Sequence, residues 1–145
     1  MQNFSKFICE NLNGCEDCKV FVVVKPGFLN KSQAIIKRFK NDGWEVDRMV
    51  TKQLLLSEAK KLYKIHKEQD FYKDLCKYMS SSCCMAMILK NTCSNIHNED
   101  PFKNVAKIKD EIRKEYGESD MRNVLHSSDS EEAMTNEYPI FFRCI

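Results

Sequence analysis

The apolar positions of this chain change period from segment to segment, and those changes mark its elements. "KVFVVV" (19–24) is a continuous, β-branched run closed by Pro26 and Gly27. A run that is apolar on both faces predicts a buried central strand. In "NKSQAIIKRFKNDG" the apolar residues Ile35, Ile36 and Phe39 share one face. Asn30 or Ser32 supplies a cap and Gly43 a stop, so this segment predicts a helix. "WEVDRMV" (44–50) partly alternates and predicts a second strand, nearer an edge. Ser57 and Glu58 open a helix with Leu62 and Ile65 on one face. Asp70 is expected to cap "FYKDLCKYM", where Phe71, Leu75 and Tyr78 recur at helical spacing. "CCMAMIL" (83–89) predicts a third strand, again buried on both faces.

The second half is more polar. Residues 90–100 predict a loop, and Pro101 suits the first turn of a helix running to about Ile108. "DEIRKEYGESD" is charged and is expected to be irregular, and "MRNVLH" predicts a short strand. "SDSEEAMTNE" sets a serine or aspartate cap before acidic first-turn residues, which predicts a helix. "YPIFFRCI" is expected to lay its phenylalanines on the core. Residues 1–17 lack periodicity and read as an extension ahead of one domain at 18–145. Strands alternating with helices in this order predict an α+β fold, a ferredoxin-like antiparallel sheet covered by helices. No internal repeat or linker divides the chain.

Composition narrows the function classes. With 145 residues, 43% apolar and 30% charged, the chain suits a single soluble domain. The net charge of +2 comes from 23 basic and 21 acidic residues, which gives no electrostatic case for nucleic acid or an anionic membrane. The apolar runs are too short to cross a bilayer, and the first 14 residues lack the apolar core of a secretory signal. A cytoplasmic location is therefore expected, with the eight cysteines as thiols. Cys15 and Cys18 form a C-x-x-C, a pattern used in zinc and redox sites. No second ligand pair follows at zinc spacing.

The candidate chemistry lies at strand ends. Lys25 follows the first buried strand, where an ammonium serves either as a solvated strand end or as a phosphate contact. His126 ends the last predicted strand, within "NVLHSSDS", and is either a structural histidine or a nucleophile or base. Three features favour the reactive reading. Ser128 and Glu137 lie downstream and can orient an imidazole by hydrogen bonds. A predicted helix N-terminus, attractive to anions, begins a few residues on. Arg113 and Asn123 add polar groups in the approach to the histidine.

"VFVVVKPG", "AIIKRFKNDGWEV", "FYKDLCKYMSS", "MAMILK" and "IRKEYGESDMRNVLHSSDS", followed by Glu137, together resemble the nucleoside diphosphate kinase family over about residues 18–142. The most specific part is N-x-x-H-x-S-D-S. The resemblance implies transfer of the γ-phosphate of a nucleoside triphosphate to a nucleoside diphosphate through a phosphohistidine. By position, His126 would be the nucleophile. Lys25, Tyr63 and Arg113 would contact phosphates, and Lys25 and Asn123 the ribose and bound oxygens. Phe71 would stack on the base with Leu75 beside it, while Ser128 and Glu137 would poise the histidine. Mg²⁺ would bind through the nucleotide phosphates, with no protein ligands.

The chain also departs from the family pattern. It has Lys25-Pro26-Gly27 where the family has K-P-D, and Ser127 where the family has a glycine, a change expected to crowd the site. Asp120 stands where an apolar residue faces the base. Between Ile88 and Arg113 the segment is shortened, a phosphate-binding threonine has no evident counterpart, and Lys103 and Lys107 are the substitutes considered for a missing arginine. That segment builds trimer contacts in hexameric relatives, so a homodimer, a monomer or a protein partner is expected here. Two readings follow: a nucleoside diphosphate kinase of full or reduced activity, or a kinase-like module that binds nucleotides or partners without turnover, in a ciliary or other assembly.

Overall fold

The computed structural model describes residues 8–10, 16–92 and 94–142. Among them are five strands: β1 (Ile8–Glu10), β2 (Glu16–Val24), β3 (Glu45–Lys52), β4 (Cys84–Thr92) and β5 (Leu125–Ser127). The helices are α1 (Ser32–Asn41), α2 (Leu56–Leu62), α3 (Tyr72–Met79), α4 (Pro101–Tyr116) and α5 (Glu131–Glu137).

β2 is the centre of the sheet. It pairs antiparallel with β4 from Asp17↔Thr92 to Val24↔Met85, and β4 pairs antiparallel with β3. On its other side β2 takes β5 at Val22–Val24 and β1 at Glu16–Cys18. Leaving β1 aside, the spatial order β3–β4–β2–β5 is that of the ferredoxin-like fold. β1 therefore pairs part of the predicted extension to the sheet edge; residues 1–7 and 11–15 of that extension lie outside the described residues.

The unbroken apolar run of β2 has a simple cause, because helices cover both faces of the sheet. Cys18, Val20, Val22 and Val24 face α1 and α4, in a core with Ile35, Phe39, Trp44 and Ile108. Phe21 and Val23 face the opposite way, toward α2, α3 and α5, with Leu62, Leu75, Met79 and Met134. Phe141 and Phe142 close this second core against Phe21, at ring-centroid distances of 5.7 and 6.5 Å.

Several boundaries differ from expectation. α2 begins at Leu56, and its stabilising contact is Glu58 Oε1 accepting from Leu55 N at 2.9 Å rather than a Ser57 cap. The helix ends at Leu62, so Ile65 falls in a 3₁₀ turn (Lys64–His66) and is 80% exposed. Asp70 does not cap α3, whose N-cap position is Phe71, without a side-chain bond. Ser130 does cap α5, accepting from Ala133 N at 3.1 Å.

The largest difference is α4. It does not stop near Ile108 but continues through the charged segment to Tyr116. Lys, Glu and Arg are good helix formers, and neither Gly nor Pro interrupts them before Gly117. Ile108, Ile112 and Tyr116 recur every four residues and continue the apolar stripe onto the sheet. Asp100 caps the helix by accepting from Phe102 N at 2.9 Å, and Trp44 Nε1 donates to Asn104 Oδ1 at 2.9 Å.

Among the described cysteines Cys76 and Cys84 are buried and Cys83 is exposed. The C-x-x-C reading depends on Cys15, which lies outside the described residues.

Candidate active site

β2 and β5 aim two of the predicted residues at one place. His126 sits directly opposite Val23 in the β2–β5 ladder, so both side chains leave the same face of the sheet. That face is the one covered by α2, α3 and α5. Lys25, two residues beyond Val23, continues the alternation on the same side. The backbone locks this end of the sheet, with Lys25 N donating to Val124 O at 2.8 Å.

Val124 has φ +82°, a rare conformation for a β-branched residue, and Leu125 N donates to Asn123 O at 3.1 Å around it. This is the strained γ-turn geometry. Its strain, about 1–3 kcal/mol, is held in place because Val124 is fully buried. The turn carries Asn123 toward Lys25 just before β5 begins. Gly27 supplies a second tight turn at φ +89°, and a Cβ there would lie 2.8 Å from Arg122 Nη2. Arg122 is itself laid over the rings of Phe28 and Tyr78, at 5.5 and 5.3 Å.

Lys25, Asn123 and His126, which these turns and strands position, line a cavity of about 940 Å³. Eight of the nine predicted site residues reach it: Lys25, Tyr63, Phe71, Leu75, Arg113, Asn123, His126 and Glu137. Ser128 does not. Its backbone N–H donates to Phe21 O at 3.0 Å, and its buried Oγ has no partner among the described residues. The expected hydrogen bond from Ser128 to the histidine is thus missing, because the residue turns into the strand end beside it.

Glu137, the last residue of α5, accepts from His126 Nε2 through Oε1. Tyr63 presents its ring edge-on to the imidazole, with centroids 5.5 Å apart and planes at 77°. Burial pushes the Tyr63 phenol well above its ordinary range, so it stays a neutral donor. Its hydroxyl has no partner among the described residues, and neither has Arg113 Nε. Arg113 Nη2 donates to Leu125 O at 2.8 Å, fixing the guanidinium one strand position from His126. Phe71 and Leu75 also line the cavity, with the Phe71 ring 5.5 Å from that of His66. Phe71 is 45% exposed, while Leu75 beneath it is buried.

The cavity concentrates positive charge. Lys25 is only 4% exposed, and its ammonium donates to Asn123 Oδ1 at 2.7 Å and to Met121 O at 3.3 Å. Burial, then the Arg113 and Lys109 charges, lower the Lys25 pKa to about 7. Burial likewise lowers Lys109 and Arg113.

Lys109 was not among the predicted residues. Reading the helix as ending at Ile108 hid it, and the recurrence of Ile108, Ile112 and Tyr116 was the signal that would have found it. The substitutes drawn from sequence do not reach the cavity. Lys103 is exposed, and Lys107, its side chain 69% exposed, pairs with Glu99.

Two other departures resolve. Ser127 pairs regularly with Val22 and has no left-handed φ, so nothing in its backbone demands glycine. Asp120 lines the cavity mouth as an exposed residue.

Comparison with known proteins agrees with this geometry. The family model for nucleoside diphosphate kinase matches residues 19–144. The nucleoside diphosphate kinase of Kosmotoga olearia is 32% identical over 132 residues, covering 86% of this chain and 88% of its own. That of Helicobacter pylori is 35% identical over 126 residues, covering 83% and 91%. A crystal structure of Aquifex aeolicus nucleoside diphosphate kinase superposes with a TM-score of 0.74 at 26% identity, over 87% of this chain and 95% of that one. A match over this much of the sequence, joined to the same fold and a histidine-centred cavity, places the chain in the nucleoside diphosphate kinase family.

Proposed function

We propose that this phosphotransferase moves the γ-phosphate of a nucleoside triphosphate to a nucleoside diphosphate through a phosphohistidine on His126 Nδ1. The observation that carries the reading is the bond between His126 Nε2 and Glu137. A carboxylate only accepts, so the imidazole proton resides on Nε2. Nδ1 is then left with its lone pair, and no described residue hydrogen-bonds to it.

In the first half-reaction that lone pair attacks the γ-phosphorus. The bond to the β–γ bridging oxygen breaks, and the diphosphate leaves with its electrons. Glu137 steadies the positive charge that develops on the ring. In the second half-reaction a terminal oxygen of an incoming diphosphate takes the phosphoryl group back, and Nδ1 recovers its lone pair.

Phosphoryl transfer asks for alignment and charge neutralisation more than for covalent help. Lys25 and Arg113 supply cationic donors on the histidine side. Tyr63 Oη and Arg113 Nε, without a hydrogen-bond partner among the described residues, can each donate to a phosphate oxygen after small side-chain movements. Phe71 offers an exposed ring face to the base, and stacking on it tolerates any base. Lys25 and Asn123, bonded to each other, present donors to ribose and phosphate oxygens.

Mg²⁺ belongs to the substrate in this reading, arriving on the nucleotide phosphates. The donor set fits that role. The cations of the cavity suit the phosphate oxygens on which the ion would be carried. When bound, the ion neutralises phosphate charge.

The test is direct. The chain is incubated with γ-labelled ATP and Mg²⁺, acid-labile label on the protein is measured, and the label is chased with a nucleoside diphosphate. Label should form, transfer on chase, and vanish in His126→Ala. Absence of label, or its persistence in that variant, overturns the reading.

A further inference from the structure

α4 sorts its residues by face. Val105, Ile108 and Ile112 bury themselves against the sheet. Lys109 and Arg113, four positions apart, lie one above the other on the adjoining face, and both line the cavity. Their Cβ atoms are therefore separated by roughly 6 Å, close to the reach of one phosphate group bridging two donors.

Lys109 is half-buried, yet no described residue forms a hydrogen bond or ion pair with its ammonium. The arrangement is unfavourable in isolation. Burial and the neighbouring Arg113 charge both work against the protonated amine. The other lysines of the helix escape this cost: Lys103 and Lys114 are exposed, and Lys107 is paired with Glu99. Such a cation beside a guanidinium, facing a large cavity, is suited to a multiply charged anion.

Its place in the cavity narrows the anion further. Besides Arg113, the charges that act on Lys109 are Asp110, Asp129 and Glu137. Glu137 holds His126, and Asp129 lies three residues beyond that histidine. Geometry agrees: Arg113 Nη2 bonds to Leu125 O at 2.8 Å, next to His126, and Lys109 stands one turn from Arg113 on the same face of α4, so it belongs to the histidine side of the cavity.

We propose that Lys109 binds the terminal phosphate of the nucleoside triphosphate, forming with Arg113 a two-cation grip along one face of α4. Naming that phosphate as the one transferred rests on the kinase reading above. The alternative use of such a residue is to lay its aliphatic stem along the helix and send its head to solvent, and then it would not sense the nucleotide.

The experiment compares the full-length chain with Lys109→Ala, Lys109→Arg and, as a surface control, Lys107→Ala. Dissociation constants are measured with Mg²⁺ for a β,γ-imido ATP analogue and for ADP. Loss of one charge-assisted contact should weaken the triphosphate analogue by about ten- to a hundredfold in Lys109→Ala. ADP should be affected less, Lys109→Arg should recover most of the loss, and Lys107→Ala should match the unaltered chain. If Lys109→Ala does not fold, Lys109→Met preserves the stem and replaces it. An unchanged ratio of triphosphate to diphosphate affinity, whether both values hold or fall together, overturns the proposal. Label uptake by the unaltered chain is read separately. Its absence overturns the kinase reading, while the affinity ratio still decides the role of Lys109.

Discussion

Lys25 and Asn123, 98 positions apart in sequence, are joined by a 2.7 Å hydrogen bond from Nζ to Oδ1. The bond closes the gap between the end of β2 and the strained turn before β5. It also holds an ammonium in a place where burial opposes its charge.

That opposition has a sign that can be measured. The Lys25 pKa falls from 10.5 to about 7, first through burial and then through Arg113 and Lys109. Between those two pH values the unfolded chain holds a proton that the folded chain has released, so this group makes stability rise with pH across the window. Its destabilising effect is complete below pH 7 and absent above 10.5. Phosphate binding favours the charged amine and raises its pKa. Nucleotide binding near pH 8 should therefore take up protons, and affinity should fall as pH rises above 7. Calorimetry in buffers of different ionisation enthalpy reads the uptake, which Lys25→Met should reduce. Proton release on binding would contradict the account.

In the proposed reaction Glu137 acts through His126, to which it is hydrogen-bonded. Glu137→Gln keeps an oxygen acceptor for Nε2–H but removes the negative charge facing the developing imidazolium. Phosphorylation of His126 should slow by about tenfold or more, the difference between charged and neutral hydrogen bonds at one site. Nucleotide affinity should change little. Rapid-quench measurement of phosphoenzyme formation separates the two effects, and an unaltered rate would show that the carboxylate is only structural.

Phe71 is exposed and contributes little to the core beneath it, whereas Leu75 is part of that core. Phe71→Ala should weaken purine and pyrimidine nucleotides alike, by about 1–3 kcal/mol if a base stacks on the ring. The unfolding free energy read from urea titration should stay within about 0.5 kcal/mol of the unaltered chain. Leu75→Ala should do the reverse, costing stability first.

Much of the fold was legible because its signals are local. The continuous apolar runs of β2 and β4 read as strands with both faces covered, as the sheet pairing shows, and the N-x-x-H-x-S-D-S motif singled out His126. Caps were less legible, because Ser57 and Asp70 have the right chemistry in the wrong place. Glu58 and the neighbouring turns fix those helix starts through backbone contacts instead. The hydrogen bond expected from Ser128 to the histidine is likewise not made among the described residues, where the backbone N–H of Ser128 pairs with Phe21 O and its hydroxyl has no partner. The cation on α4 was illegible for another reason. Charge density suggested irregular chain, while the four-residue apolar recurrence that overrides it is sparse and spans a predicted boundary.

Ile112 tests whether that recurrence supports the site. It is buried against the sheet in the core that also holds Val105, Ile108 and Leu125, and it immediately precedes Arg113. Ile112→Ala removes methylene and methyl contacts that the packed helix and sheet cannot fully close over. The expected loss is about 2–5 kcal/mol, read as a lower urea midpoint at constant m-value. Since Lys109 and Arg113 depend on the position of the same helix, a shift of α4 would also weaken triphosphate binding. Saturating nucleotide should then restore less stability to Ile112→Ala than to the unaltered chain, because ligand stabilisation follows the ratio of concentration to Kd. Equal stabilisation of both by the same nucleotide concentration would show that the stripe supports the fold without aligning the cations.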